Sequence, residues 1–189
     1  MFGSSKKEMV DKWETRQLIS CVESIESGKS LVCNTFPQQN NEPAILKLSS
    51  ISSGHFLPGE NKSMVDSSNL DRSKLVSKGD ILLTRKNTPE LVGLNVLVNQ
   101  DTQNLMFPDI IFRMHPKSSI KGEYLSMLLM TKDFLSEIQA ISHGSSKSMS
   151  NIPKSKLAEV IIPIPPILLQ HHFIEQKLLI DKSKYCYLE

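Results

Sequence analysis

The chain has 189 residues, 39% of them hydrophobic and 22% charged, an ordinary globular composition that excludes a disordered or fibrous protein. A chain this long can bury about two-thirds of its unfolded surface, so it needs no metal or disulfide staple. The net charge of +2 is too small to argue for nucleic acid by itself; such a case must come from where the charge sits. The three cysteines, Cys21, Cys33 and Cys186, match no metal or disulfide spacing. "MFGSSKKEMV" has no apolar leader, and no run approaches a membrane span. Reduced thiols in a cytoplasmic protein are the expectation.

In chain order, "WETRQLISCVESIESGKS" predicts a short strand and a helical turn, and "NTFPQQNNEP" a polar loop. "AILKLSSIS", bounded by Pro43 and Gly54, predicts a strand, and "SGHFLPGENKS" is turn-rich. "GDILLTR", "LNVLV" and "DIIFRMH" predict three more strands. The first of these empties into Thr84-Arg85-Lys86-Asn87-Thr88, a fan of hydrogen-bond donors, before Pro89 and Gly93 end the stretch.

Then the period changes. Over "KGEYLSMLLMTKDFLSEIQAIS", Tyr124, Leu128, Leu135, Ile138 and Ile141 recur at helical spacing. Met127 and Met130 in this segment are expected to fill core rather than form a pliable binding face. "HGSSKSMSN" predicts a small-residue loop and "EVIIPIPP" a short strand stopped by prolines. "ILLQHHFIEQKLLIDKSKYCYL" returns to helix and is expected to continue past the end of the chain. Strands first and helices later indicate an α+β fold.

Catalytic signatures are missing. "SGKS" at 27–30 lacks the glycine that a phosphate loop requires five positions before Gly28, where Glu23 stands. Pro108-Asp109 has no downstream Glu-x-Lys, so Asp109 is expected to open a strand. Ser118 and Lys121 form an isolated S-x-x-K without companion hydrolase motifs. His171 and His172, adjacent on a helix, point about 100° apart and cannot share a metal. No metal, cofactor or reaction is implied.

What is present is local charge. Residues 72–86 carry five cations against one acid, a net +4, and residues 143–156 carry three lysines and no acid. Both windows are rich in Ser, Thr or Asn. Lys and Arg neutralise phosphates, and Asn, Ser, Thr and Arg reach base edges. Composition alone favours solvated surface over a nucleic-acid face.

Three stretches together resemble a target-recognition domain from the specificity subunit of type I DNA restriction–modification systems. "WETRQLISCVESIESGKS" is similar to that domain's opening of Trp, a Leu-led strand and a Gly-Lys-Ser turn. "LVSKGDILLTRKNTPELVG" is similar to its Leu-x-x-Gly-Asp-hydrophobic strand and polar loop. "GSSKSMSNIPKSKLAEVIIPIPPILLQHHFIEQ" is similar to its close: a Gly-Ser loop, an Ile-Pro-hydrophobic-Pro-Pro strand, and a helix opening near Glu-Gln. The resemblance spans about residues 13–180. Leu169 departs from the acid that usually precedes Gln170.

The resemblance implies a mixed or antiparallel β-sheet recognition domain over 13–166. A spacer tail or linker precedes it over 1–12, and a coiled-coil-type spacer helix follows over 167–189. It also implies a non-catalytic component that reads one half of a bipartite double-stranded DNA target. Methyltransferase subunits dock on its helices, and a nuclease–translocase subunit joins for restriction. The chain is then half of a longer subunit or a natural half-subunit. Two alternatives stay open: a recognition domain from a single-chain restriction–methylation enzyme, or a helical interaction module with inert loops.

The residues expected to face DNA are Arg85, Lys86, Asn87 and Thr88, with Lys47 and Ser50, and with Lys147, Ser148 and Asn151. On the last helix, Ile167, Ile174, Leu178 and Tyr185 fall within about 20° of one line at 100° per residue. Leu169, Phe173, Ile180 and Tyr187 form a second stripe. One stripe is expected to pack on the domain and the other on a partner, including a second copy of the chain.

Overall fold

The computed structural model describes residues 5–146 and 149–185, with the backbone alone at 143–146 and 181–185. In chain order the helices and strands are α1 (Lys6–Lys12), β1 (Thr15–Gln17), α2 (Leu18–Cys21), β2 (Val22–Ser27), β3 (Ala44–Leu46), β4 (Asn61–Ser63) and β5 (Ile81–Thr84). There follow β6 (Lys86–Asn87), β7 (Asn95–Leu97), β8 (Leu105–Met106), β9 (Ile111–Pro116), α3 (Gly122–Leu129), α4 (Lys132–Ala140), β10 (His143–Ser146), β11 (Met149–Asn151), α5 (Lys154–Glu159), β12 (Ile161–Pro163) and α6 (Ile167–Tyr185). The α+β reading holds.

The antiparallel sheet β2-β9-β5-β7 is the centre of the domain. The apolar run Ile81-Leu82-Leu83 has a physical reason. Ile81 and Leu83 point into a core shared with Val22, Ile25, Phe112, Tyr124, Leu128 and Phe134. Leu82, on the opposite face, enters a second core with Ala44, Leu46, Phe107 and Ile111. Successive strand residues face opposite ways, so a strand buried on both faces must be apolar throughout. The helices cover one face, and the small mixed sheet β4-β3-β8 covers the other. Gly79 starts β5 at φ +95°, a backbone conformation that favours glycine. Next to it the buried Asp80 accepts from Ser77 N–H at 2.8 Å.

One expectation is refined and another corrected. The helical segment 122–141 is divided into two helices. Met130 ends the first, Thr131 turns extended, and the Thr131 hydroxyl donates to Leu128 O at 2.8 Å. This lets α4 leave the direction of α3 and still bury Phe134 and Ile138. The segment 143–151 is not a bare loop, because β10 and β11 pair in antiparallel fashion. Its small polar residues carry no alternation; a strand partner supplied from elsewhere in the chain makes it a strand.

The two ends of the domain meet at β1 and β12, which pair from Thr15↔Pro163 to Gln17↔Ile161. Helix α1 therefore ends, and α6 begins, at one edge. In α1, which Ser5 and Glu8 cap reciprocally, Met9 is buried in the main core. α6 is tied down at its first turns. The buried Gln170 side chain accepts from Lys121 N–H at 2.8 Å and donates to Pro165 O at 2.9 Å. Tyr124 donates to Pro163 O at 3.1 Å, and its ring meets Phe173 edge-on with centroids 5.3 Å apart.

The side of α6 that packs lies between the two predicted stripes and takes one residue from each, Ile174 and Phe173. Gln170 and Phe173 are buried and Ile174 packs against the core. These three centre about 70° from the Ile167–Leu178 line and about the same from the Leu169–Ile180 line, at 100° per residue. Ile167, Leu169, Leu178 and Ile180 are each partly exposed, at 36–47%. The most exposed apolar residues, Leu168 and Leu179, lie on the far side of the helix. The backbone of α6 includes Tyr185, whose side chain lies outside the described residues, as does Tyr187.

A candidate nucleic-acid interface

β5 runs out of the core at Thr84. The Thr84 side chain itself turns inward, buried, and donates to Leu91 O at 2.7 Å, so the donor fan begins one residue later than its sequence suggests. Arg85 is half-buried. Its guanidinium lies 5.3 Å from the Phe112 ring centroid and donates to Ser27 Oγ at 3.2 Å and Asp109 O at 3.3 Å. Such stacking holds the planar group at low entropic cost. Arg85 Nε is buried and meets no acceptor among the described residues.

Lys86 and Asn87 form β6, which joins β10 and β11 in one sheet through Asn87↔Ser150 and Lys86↔Asn151. The backbone pins this arrangement, since Ile152 N–H donates to Arg85 O at 3.0 Å. Lys86 Nζ sits 3.3 Å from Asp109 Oδ2. Asn87 Oδ1 accepts from Thr88 N–H at 2.9 Å, and Thr88 O accepts from Leu91 and Val92 N–H, which fixes the turn. Asn151 Oδ1 is buried without a donor among the described residues. The 84–88 and 143–156 segments, some sixty residues apart, thus share one small sheet. Lys147 and Ser148, expected at this site, lie outside the described residues.

Next to this sheet is a cleft of about 480 Å³ between the 29–33 segment, β3 and the 108–110 turn. Lys29, Lys47 and Lys62 line it, with Asp109 in its wall. Lys29 pairs with Asp71 at 2.8 Å, and Lys47 with Glu60 at 2.9 Å. The Lys29 and Ser73 hydrogen bonds hold the Asp71 carboxyl down at about 2. Gly28 lets the chain reach this cleft: Lys29 N–H donates to Phe107 O at 3.2 Å, an approach that leaves no room for a side chain at residue 28.

Ser50 is withdrawn from the expected set. It is fully buried, and its hydroxyl donates to Lys47 O at 2.6 Å within a short 3₁₀ turn. The strand foreseen over 44–52 ends at Leu46, and that turn carries Ser50 under the surface. Lys47 itself lines the cleft.

No family model matches the sequence. The chain is 30% identical over 163 residues to the type I restriction enzyme EcoEI specificity subunit of Escherichia coli. That alignment covers 84% of this chain and 27% of the relative. Among solved structures, one from a study of complex assembly and conformational transition of the type I R-M system superposes with a TM-score of 0.67. The identity is 18%, covering 93% of this chain and 40% of that one. The S subunit of a type I restriction–modification system from M. genitalium gives 0.60 at 12% identity, over 90% and 39% of the two chains. The HsdS subunit from Thermoanaerobacter tengcongensis gives 0.61 at 12%, over 92% and 43%. The chain has the fold of part of a type I specificity subunit. It spans about a quarter of the curated relative and about two-fifths of the solved ones.

Within the specificity-subunit fold, several residues in the sequence signatures have structural work. Gly28 permits the close crossing with residues 107–108, Gly79 starts β5, and Gln170 seats α6. Lys62 has no sequence signal of a site, and Asp109, expected to open a strand, stands in the turn before β9 instead. Strand pairing and the 108–110 turn bring them to the cleft, and no linear pattern marks them. Among the described residues no cluster of His, Cys, Asp or Glu could hold a metal, and no helix is long and apolar enough to cross a membrane.

Proposed function

We propose that this chain is the recognition half of a type I specificity subunit. It reads one half of a bipartite double-stranded DNA target from the surface around β6, β11 and the adjoining cleft. Catalysis belongs to its partners: methyltransferase subunits dock along α6, and a nuclease–translocase subunit joins for restriction. A second copy, or a second half of a longer chain, covers the exposed apolar side of α6. The work is cytoplasmic, where the DNA is.

The observation that supports this reading best is the sheet β10-β11-β6. It joins Lys86 and Asn87 to Ser150 and Asn151 from a segment some sixty residues away, and three lysines line the adjoining cleft. Donors held by a strand scaffold suit base and phosphate contact.

The test is fluorescence anisotropy of a labelled duplex between 50 and 200 mM salt. Affinity should fall steeply with salt, with a log–log slope of about 0.9 for each phosphate neutralised, and Lys86→Ala should reduce that slope by about one. Arg85→Ala should cost about 1–3 kcal/mol at one base position if Arg85 meets a guanine edge, and uniformly across sequences if it meets phosphate. Since Arg85 also stacks on Phe112, Arg85→Lys serves as the companion variant. A flat salt response would refute the reading.

A further inference from the structure

We propose that Asp109 is a base-reading carboxylate, set to accept a hydrogen bond from the exocyclic amino group of adenine or cytosine, while Lys29 and Lys62 hold the DNA backbone across the cleft. This rests on the recognition reading above and adds to it a specificity determinant of opposite charge.

The chemistry of the cleft poses the problem. Three lysines line it, as a phosphate-binding surface requires, yet a carboxylate stands in the same wall. Next to phosphates an aspartate is repelled and lowers affinity. It is useful where duplex DNA offers a donor, and in the major groove those donors are the amino groups of adenine and cytosine. Carboxylates are acceptor-only, so Asp109 cannot accommodate the carbonyl of guanine or thymine at the same place.

The geometry matches such a role. The backbone at 109 is anchored, because Asp109 O accepts from Arg85 Nη1 and Ile111 N–H donates to Pro108 O at 3.1 Å. One side-chain oxygen is engaged: Lys86 Nζ lies 3.3 Å from Oδ2. Among the described residues no donor reaches Oδ1, and the side chain keeps 35% of its exposure. Asp109 therefore stands between Arg85 and Lys86 on one side and the cleft lysines on the other, an acceptor within a surface of donors. Glu60 and Asp71 differ. Each is bound by a lysine and by a serine next to it, Glu60 by Lys47 and Ser49 and Asp71 by Lys29 and Ser73, and neither lines the cleft.

The experiment uses the full 189-residue chain and a pool of duplexes randomised over ten or so consecutive positions. The bound fraction is sequenced, and the affinity for one non-target duplex is measured alongside. Asp109→Asn preserves shape and exchanges a pure acceptor for a group that both donates and accepts. It should relax the preference for adenine or cytosine at one position by about tenfold and leave the other positions unchanged. Glu60→Gln removes an acid of the same charge from the neighbouring surface, and should tighten binding for all sequences alike. Lys29→Ala and Lys62→Ala should each lower the salt slope by about 0.9 without altering preference. If Asp109→Asn only tightens binding uniformly, as Glu60→Gln does, Asp109 is an electrostatic brake and the inference is wrong, although the recognition reading survives. If the wild-type chain selects no sequence at all, both are wrong. An unchanged salt slope in both lysine variants overturns the path across the cleft.

Discussion

Replacement of Gly28 by alanine should be among the most damaging single changes in the chain, although residue 28 lies in an exposed-looking turn. A methyl group there would stand 2.5 Å from the Phe107 carbonyl carbon and 2.6 Å from Pro108 O, with the Phe107 oxygen nearer still. All three are backbone atoms. Phe107 cannot retreat, because its side chain is fully buried in the second core, and Lys29 N–H is bonded to the same carbonyl. Relief requires β2 to part from the 107–108 segment, with loss of that hydrogen bond and loosening of the core beneath. Overpacking of this kind costs about 3 kcal/mol at the upper end of its usual range. For a chain of this length that is a fall of about 6–12 °C in melting temperature. Thermal unfolding followed by circular dichroism reads it directly. Gly59→Ala is the control, since nothing lies within 4 Å of a methyl group there, and it should melt within about 2 °C of wild type. A Gly28→Ala protein that melts with the control would mean that the turn at 28 is not held against residues 107–108, and the outline of the cleft would fall with it.

Gln170→Leu should cost about 2–3 kcal/mol, because it strands the Lys121 amide and the Pro165 carbonyl in a buried place; urea unfolding checks it. Glu26 accepts from Lys74 at 2.8 Å and from Arg113 at 3.1 Å, and the Lys74 hydrogen bond above all holds its carboxyl down at about 2. Its folded value lies below the ordinary 4.5, so its contribution is complete above that value and fades as pH falls from there towards 2. With its side chain 30% exposed, solvent screening trims that contribution to about 1–2 kcal/mol. The gap in stability between wild type and Glu26→Gln should therefore close over that window, and a gap that persists at pH 2 argues against the pairing. Leu179→Asp should weaken self-association in light scattering without shifting the melting point, since Leu179 is 60% exposed on the side of α6 away from its own domain. Leu178→Asp, at 47% exposed and in the wall of a cavity with Met127 and Met130, should weaken it less.

By itself the sequence determined what depends on neighbours along the chain. The apolar run at 81–83, bounded by Gly79-Asp80 and the polar exit, is strand in any context that buries both its faces. The proline-stopped β12 and the long final helix follow from the same local rules of period and punctuation. The basic windows were visible because charge is a property of composition. The tertiary structure decided what depends on contact between distant residues. The 143–151 segment carries no strand pattern and becomes one where β6 offers its edge. Thr84 and Ser50 look like surface donors, yet partners from Leu91 O and Lys47 O draw both inside. The helix at 167–185 spreads its apolar residues over several sides with polar ones between them, so periodicity could not name its buried side. Gln170, a polar residue with amide and carbonyl partners on segments 119–121 and 163–166, fixed the rotation that hydrophobicity left open. The cleft shares that origin: Lys29, Lys62 and Asp109 come from three separate stretches, and only the pairing of strands and the crossing at Gly28 bring them within reach of one ligand.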